Sequence, residues 1–342
     1  MPGQLTEITE LATALGVLPA ALDHLLDQPT PPPEIANVDG DTWVRLVGLW
    51  RAGNHRGDFL AGAGNGAAFA AALDGLRGRP PRRVEWKGPH RTPGDDTVPA
   101  DLRVDHVYLV SCKYLSRVLS NPGPPRLFEN LMAGEGRSGV HWFTECAPDE
   151  FQAFYAAAAQ HAGLVGSLPA MATDLSRDQQ HELKVAFPDR VLPAPLADPW
   201  AALCRTVSEE SAQRWRRAMP TQRHRLRMLW RLLRIASVTY FVLGTQPSRG
   251  NVPPATLRLR VDAAWDWSQR FDLRDLAVTA RSAGQPEVAW TAAIHDREHD
   301  LDRIVEGHVE VRWSHGRFKG SPEAKVYLDT PHTEVPGYHP LV

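Results

Sequence analysis

The chain of 342 residues has few cysteines, no long apolar run and almost no net charge. Its three cysteines are far apart and form no CxxC pair, which argues against a disulfide framework or a cysteine-bound zinc. No apolar run reaches the length of a membrane span, and the first residues lack the pattern of a secretory signal. The formal charge of -2 gives no global basic signature for nucleic acid. We therefore expect a cytoplasmic protein without a membrane segment.

The composition is that of a globular protein, with 43% hydrophobic and 23% charged residues. Hydrophobic periodicity predicts helices near the start and between residues 125 and 235, and strands almost throughout after residue 237. We expect a mixed α/β (α+β) fold. Its predicted parts are an N-terminal helical region (1–54), a central core (55–120), a helical insertion (121–220), a segment that can return to that core (221–245) and a β-rich C-terminal region (246–342).

The strongest site candidate lies in the central core, where strand-like runs carry charged residues among apolar ones. Arg82–Lys87 precedes a predicted hairpin over Ala100–Lys113. Because side chains alternate between the two faces of a strand, their spacing indicates which polar groups converge. Charged side chains on apolar strands are costly unless they pair or bind a ligand. The polar residues of interest are Glu85, Asp101, Asp105, Ser111 and Lys113.

The spacing of Pro99-Ala100-Asp101 and Ser111-Cys112-Lys113 resembles the PD-(D/E)xK pattern of the restriction-endonuclease-like nucleases. In that family an Asp on the second strand and an acid on the third hold a divalent metal, and the Lys orients or activates the water. The resemblance implies a restriction-endonuclease-like mixed sheet. It also implies Mg²⁺ or Mn²⁺, which would stabilise the extra negative charge and deliver hydroxide during phosphodiester cleavage.

This chain departs from the family pattern at Ser111, which stands where the second acid usually lies. The missing carboxylate could come from Glu85 on the preceding strand, while Asp58 and Asp74 are weaker substitutes. The expected metal ligands are Asp101, Glu85 and Asp105. The expected catalytic residues are Lys113, Asp101, Glu85, Asp105 and Ser111.

Three interpretations of the central core stay open at this point. The resemblance implies a metal-dependent endonuclease with DNA as the expected substrate, as in restriction or phage defence, acting as a homodimer or with a defence-system partner. A second interpretation is a nuclease-like component of a multiprotein system that binds nucleic acid or protein without cutting, which Ser111 favours. The third is that the charged residues form the solvated face of an ordinary antiparallel sheet.

Two basic segments are candidates for nucleic-acid contact. Arginines at helical spacing in the predicted helix Thr221–Ala236 can form one stripe against phosphates, or an ordinary solvated face. A run of aromatic and basic residues after Arg312 suits nucleic-acid backbones and unstacked bases, or a sheet with its aromatics in the core. The predicted nucleic-acid-binding residues are Arg223, Arg227, Arg231, Arg234, Arg317 and Lys319.

Two further motifs compete with the nuclease interpretation. His295–His299 reads H-x-x-E-H, an inverted zinc-protease pattern, although it lies in a charged turn between predicted strands. Gly62-x-Gly64-x-x-Ala67 loosely fits a dinucleotide-binding fingerprint, which needs a strand before it. No Walker A sequence is present, so NTP hydrolysis is not indicated.

Overall fold

A computed structural model describes residues 3–88, 98, 100–114, 118–129, 140–188, 191–246, 255–282 and 284–342 of the chain. These residues form a mixed α/β structure with two sheets, in two units that are each discontinuous in sequence. The first unit comprises Met1–Ser116, Arg234–Arg270 and His332–Val342, and the second comprises Arg117–Leu233 and Phe271–Pro331. Within the described ranges, no helix has both the length and the apolar character needed to cross a membrane.

The α-helices of the described residues range from 5 residues in α2 to 22 in α9. In chain order they are α1 (Gln4–Gly16), α2 (Leu22–Leu26), α3 (Gly40–Arg51), α4 (Arg56–Ala71), α5 (Pro124–Phe128), α6 (Trp142–Cys146), α7 (Pro148–His161), α8 (Arg177–Ala186), α9 (Ala197–Ala218), α10 (Gln222–Leu232) and α11 (Ala264–Arg270).

The strands fall into a run in the first half of the chain and a denser run after residue 239. In chain order they are β1 (Ile35–Ala36), β2 (Val84–Trp86), β3 (Leu102–Val104), β4 (Tyr108–Tyr114), β5 (Val118–Ser120), β6 (Tyr240–Gln246), β7 (Ala255–Val261), β8 (Phe271–Ser282), β9 (Pro286–Asp296), β10 (Leu301–Arg312), β11 (Glu323–Leu328) and β12 (Tyr338–Pro340).

The first unit is built on a seven-stranded sheet with the order β1-β2-β3-β4-β6-β7-β12. Strands β2, β3 and β4 form a consecutive antiparallel meander, and β6 then pairs in parallel with β4. The apolar side chains of one sheet face join those of α1, α3 and α4 in a single core, which includes Val84, Val110 and Leu243. The sheet and its covering helices therefore hold the central stretch in a fixed frame.

Glycines allow α1 and α4 to approach closely. A Cβ atom on Gly66 would lie 2.1 Å from the carbonyl oxygen of Thr13, and one on Gly16 would lie 2.1 Å from that of Ala63. The run Gly64-Asn65-Gly66 before alanine-rich sequence predicts a helix that begins at Gly64; this prediction is wrong, because α4 begins at Arg56 and contains these glycines. The dinucleotide-like motif is thus a helix-packing surface and contains no phosphate-binding turn.

The second unit contains a five-stranded antiparallel sheet with the order β5-β11-β10-β9-β8. Gly307 on β10 makes room for the ring of Trp290 on β9, since a Cβ there would lie 2.3 Å from a ring carbon. Helix α9 packs on β8 and β9, and α10 packs on β8. Within segment 221–245, strand β6 belongs to the first sheet and α10 belongs to the second unit.

Candidate functional site

The hairpin of β3 and β4 carries the central motif and turns more tightly than its sequence predicts. The amide of Val107 donates to the carbonyl of Val104 at 3.1 Å. The two residues between them, Asp105 and His106, have φ values of 51° and 63°. Positive φ at both central positions is the signature of a type I′ turn. Alternation along Ala100–Lys113 predicts that Asp105 shares a strand face with Asp101; this prediction is wrong, because Asp105 lies in the turn.

Asp101 sits immediately before β3, where β4 extends beyond its neighbour. Its Oδ2 accepts the amide of Cys112 at 2.7 Å and the hydroxyl of Ser111 at 3.3 Å. Asp101 is 8% exposed and Ser111 is fully buried. Hydrogen bonds to an ionised carboxylate are stronger than neutral ones, so this contact fixes the end of the hairpin. The structure thus brings Asp101 and Ser111 together.

Lys113 lies two residues beyond Ser111 on β4 and therefore faces the same side of the sheet. Ser111 pairs with Val242 of β6, and Lys113 pairs with Gly244. Lys113 is partly exposed. A carboxylate, a hydroxyl and an ammonium group consequently share one face at this end of the hairpin.

Glu85 on β2 is held by basic groups. Arg103 on β3 donates to both carboxylate oxygens, from Nε at 2.5 Å and from Nη2 at 3.1 Å. Arg83 and His106 lie within 3.4 Å and 3.3 Å of the same carboxylate. The Arg103 hydrogen bonds hold the pKa of Glu85 below its ordinary value, against the opposing effect of burial. Both oxygens of Glu85 are therefore already engaged.

Asp105 is held by a separate set of partners. Its Oδ1 accepts the amides of Arg82 at 2.7 Å and Arg83 at 3.1 Å, and Arg79 Nη1 lies 2.6 Å from Oδ2. Burial raises the pKa of Asp105, but Arg79 and the two amides outweigh that effect and leave the pKa below its ordinary value. The Asp105 carboxylate thus links the turn between β3 and β4 to Arg82 and Arg83, which precede β2.

The predicted metal ligands do not form a metal-binding set. Mg²⁺ in nucleic-acid enzymes is held by one or two carboxylates together with substrate phosphates. Arginines already neutralise Glu85 and Asp105, which leaves Asp101 beside the hydroxyl of Ser111. Across the described ranges, the one group of three potential ligand atoms within 4.8 Å of one another lies elsewhere, at Asp296, Glu298 and His299. The described residues of the central core therefore offer a metal one carboxylate, that of Asp101, and not the three expected ligands.

That second group coincides with the H-x-x-E-H motif and closes the hairpin of β9 and β10. Asp296 accepts from the amide of Glu298 at 3.1 Å and from Arg303 at 3.3 Å, and it faces His299 at 3.1 Å. His295 instead faces Asp302 at 2.9 Å. The two histidines are thus engaged with different carboxylates, so the motif stabilises a turn and is not arranged as a zinc site.

The predicted arginine stripe is shorter than its spacing indicates. Helix α10 ends at Leu232, and Arg234 lies beyond it with φ of 54°. Arg231 donates to the carbonyl of Arg126 at 2.6 Å, and burial lowers its pKa. Arg223 is exposed and Arg227 is half-buried. Of the four predicted stripe residues, Arg223 and Arg227 lie on α10 and are reached by solvent. Neither makes the contact that Arg231 makes with the carbonyl of Arg126.

Several interacting residues were not identified from the sequence. Arg103 and Arg79 neutralise the two acids, and the register that places Arg103 opposite Glu85 is known only from the structure. In the second unit, Arg317 lines a cavity, whereas Lys319 is exposed and lies outside its lining. The segment Trp265-Asp266-Trp267 predicts two tryptophans in the core; Trp267 is fully buried, but Trp265 is 70% exposed.

Comparison of the chain with protein-family models, with curated proteins and with solved structures finds no match.

Proposed function

We propose that the chain is a nuclease-like protein that binds nucleic acid without cutting it, as a component of a multiprotein system. The arrangement of the first sheet supports the nuclease-like part. A helix, α4, precedes the meander of β2, β3 and β4, and β6 then lies parallel beside β4. This is the further strand expected after the lysine-bearing strand of the nuclease family. The placement of Asp101 beside Ser111 supports the same comparison.

Glu85 and Asp105 are already bound by arginines, and this supports nucleic-acid binding without cleavage. Glu85 receives two hydrogen bonds from Arg103, and Asp105 receives Arg79 and two backbone amides. Binding a metal at either acid would require these hydrogen bonds and ion pairs to be broken first. Ser111 cannot replace an acid, because a hydroxyl carries no charge to balance a divalent cation.

The binding part of the proposal rests on basic side chains that solvent reaches. Arg223 on α10 and Lys319 after β10 are exposed, and Arg227 and Arg317 are half-buried. Arginine and lysine contacts to phosphates supply affinity that does not depend on base sequence. DNA is the nucleic acid that the nuclease resemblance favours, and RNA is tested beside it.

Metal-dependent cleavage is the second candidate function, and the shared face of Asp101, Ser111 and Lys113 favours it. In that candidate, Asp101 would bind Mg²⁺ or Mn²⁺, and the metal would supply charge stabilisation and an activated water. Lys113 would hold its ammonium group at the phosphate being cleaved.

One set of measurements separates the two candidates. Plasmid DNA and RNA are incubated with the parental chain and with Lys113→Met, in Mg²⁺, in Mn²⁺ and in EDTA, and binding is measured on the same preparations. We expect binding by both proteins and cleavage by neither. Metal-dependent cleavage by the parental chain that disappears in a folded Lys113→Met protein would establish the second candidate. Failure of the parental chain to bind either nucleic acid would overturn the proposal.

A further inference from the structure

A cavity of about 400 Å³ opens in the second unit between α9 and the strands β9 and β10. Its size lies in the range of small-ligand sites. The lining combines aromatic rings, an amide and two guanidinium groups, from segments far apart in the sequence. The residues that define it here are Phe187, Trp200, Gln285, Arg312, Trp313 and Arg317.

The aromatic part of the cavity is rigidly oriented. The rings of Trp200 and Trp313 are stacked, with centroids 6.1 Å apart and planes at 21°. Trp200 donates its indole N–H to the carbonyl of Gly284 at 2.9 Å, and Trp313 donates to that of Gly320 at 3.0 Å. Because both N–H groups are satisfied by backbone, the indoles present mainly apolar ring surface to the cavity. Trp313 is half-buried, and its ring also contacts Phe143 at 4.8 Å and Phe318 at 5.3 Å between centroids, so a base would stack on the part of the ring that lines the cavity.

The polar part of the cavity includes two arginines, Arg312 and Arg317. Arg312 Nε lies 3.3 Å from Glu310, which balances the charge of Arg312, so Arg317 is the main cationic residue of the lining. Glu310 also accepts a hydrogen bond from the hydroxyl of Tyr327 at 2.8 Å. Guanidinium groups match the geometry of phosphate oxygens. Gln285 adds an amide that both donates and accepts, as the hydrogen-bonding edge of a base requires.

A second cavity of about 410 Å³ in the same unit has a different character. It is lined by His141, Thr144, Glu145 and Phe318, among others. Burial lowers the pKa of His141 to about 4, so its imidazole is neutral near pH 7. Glu145 is bound by Arg214 at 3.2 Å. With a carboxylate and no cationic group in its lining, this cavity does not suit a phosphate.

We propose that the cavity at Trp313 holds one unstacked nucleotide of a single-stranded nucleic acid. The base lies against Trp313 and contacts Gln285, and the phosphate lies at Arg312 and Arg317. This inference rests on the nucleic-acid binding proposed above and adds the place and the strand form that the protein recognises. Base–aromatic contact tolerates every base because each has a π face, so the site recognises an unpaired strand and no particular sequence.

The test compares a fluorescently labelled single strand, as DNA and as RNA, with a duplex of the same sequence. Trp313→Leu keeps an apolar side chain but removes the ring, and Arg317→Gln removes one charge. We expect Trp313→Leu to weaken single-strand binding by roughly 5- to 150-fold and to change duplex binding little. Arg317→Gln should lower the slope of log affinity against log salt by about one.

Matched controls use residues outside the cavity. Trp265→Leu alters a tryptophan that is 70% exposed in the first unit, and Arg205→Gln removes an exposed arginine of α9. Both should bind like the parental chain. In addition, a strand carrying 5-iodouridine should cross-link on irradiation to a peptide that contains Trp313.

The outcomes distinguish this inference from the function on which it rests. A parental chain that binds no nucleic acid overturns both. A parental chain that binds, with folded Trp313→Leu and Arg317→Gln proteins of unchanged affinity and salt slope, overturns the nucleotide cavity alone. Cross-links confined to other peptides would do the same, and would not require the variants to fold.

Discussion

Oδ2 of Asp101 accepts the backbone amide of Cys112 at 2.7 Å, in the place where a strand carbonyl would otherwise stand. Strand β3 begins at Leu102, and just before it the amide of Asp101 donates to the carbonyl of Val110 on β4 at 2.8 Å. The carboxylate extends the ladder by one bond and also accepts the hydroxyl of Ser111. The residue that the nuclease resemblance assigns to a metal therefore has a structural role in the hairpin.

The structural role of Asp101 predicts a loss of stability when its carboxylate is removed. Asp101→Ala leaves the buried amide of Cys112 and the hydroxyl of Ser111 without an acceptor, which should lower the free energy of unfolding by about 1–3 kcal/mol. Asp101→Asn keeps an oxygen in place and should lose less. Urea denaturation of the three proteins measures the difference. Equal midpoints for the parental chain and Asp101→Ala would contradict this role.

The ion pair of Glu85 and Arg103 predicts a dependence of stability on pH. The pKa of Glu85 lies below its ordinary value of 4.5 in the folded state because Arg103 stabilises the charged form. Its contribution is fully present above that ordinary value and is lost as the pH falls through the lower folded value. In Glu85→Gln the free energy of unfolding should fall less steeply below pH 4.5 than in the parental chain.

Denaturation at a series of pH values checks this slope. Glu182→Gln, which alters an exposed glutamate of α8, serves as the control and should retain the parental profile. A Glu85→Gln protein with the parental profile would show that the pair with Arg103 does not contribute to folding.

The close approach of α1 and α4 predicts opposite effects for two neighbouring glycines. Gly64→Ala adds a Cβ that meets nothing within 4 Å, so it should stabilise the chain by about 0.5–1 kcal/mol through helix propensity. Gly66→Ala places a Cβ 2.1 Å from the Thr13 carbonyl oxygen and should destabilise by about 1–3 kcal/mol or more. Thermal unfolding of both variants shows whether each melting temperature rises or falls. Equal shifts in melting temperature would rule out tight packing at Gly66.

The exposed Arg223 and the half-buried Arg227 of α10 predict a change in the salt dependence of nucleic-acid binding. If Arg223 and Arg227 contact phosphates, the double variant Arg223→Gln/Arg227→Gln should bind all sequences more weakly and lower the salt slope by about two. A control double variant, Arg51→Gln/Arg205→Gln, removes the same charge from exposed positions on α3 and α9. Identical behaviour of the two double variants would show that α10 contributes only its net charge.

The sequence was most informative where structure is local. Alternation along the central strands located β2, β3 and β4 and placed Ser111 and Lys113 on one face, because that relation depends only on spacing along one strand. The juxtaposition of Asp101 and Ser111 followed from the hairpin, which joins segments ten residues apart. Helix α4 was less well predicted, since its glycines are stabilised by packing on α1 and local propensity opposes them.

Relations between distant segments were beyond the reach of sequence patterns. Whether Glu85 serves a metal or an arginine depends on the register of β2 against β3, which the sequence does not fix. The nucleotide cavity joins Trp200 to Trp313, which are separated by the whole run from α9 to β10. Arg234 was assigned to the stripe because its spacing is helical, whereas the chain leaves the helix at Leu232.

The parallel pairing of β4 with β6 determines how late the first sheet can form while the chain is being synthesised. Residues 115–239 must leave the ribosome before β4 can acquire this neighbour, and β12 joins the same sheet later still. Until then β4 presents an unpaired edge, which is a site for association with other chains. Contacts between segments so far apart form slowly because loop closure precedes them. The nascent chain should therefore depend on chaperones that shield β4 during synthesis.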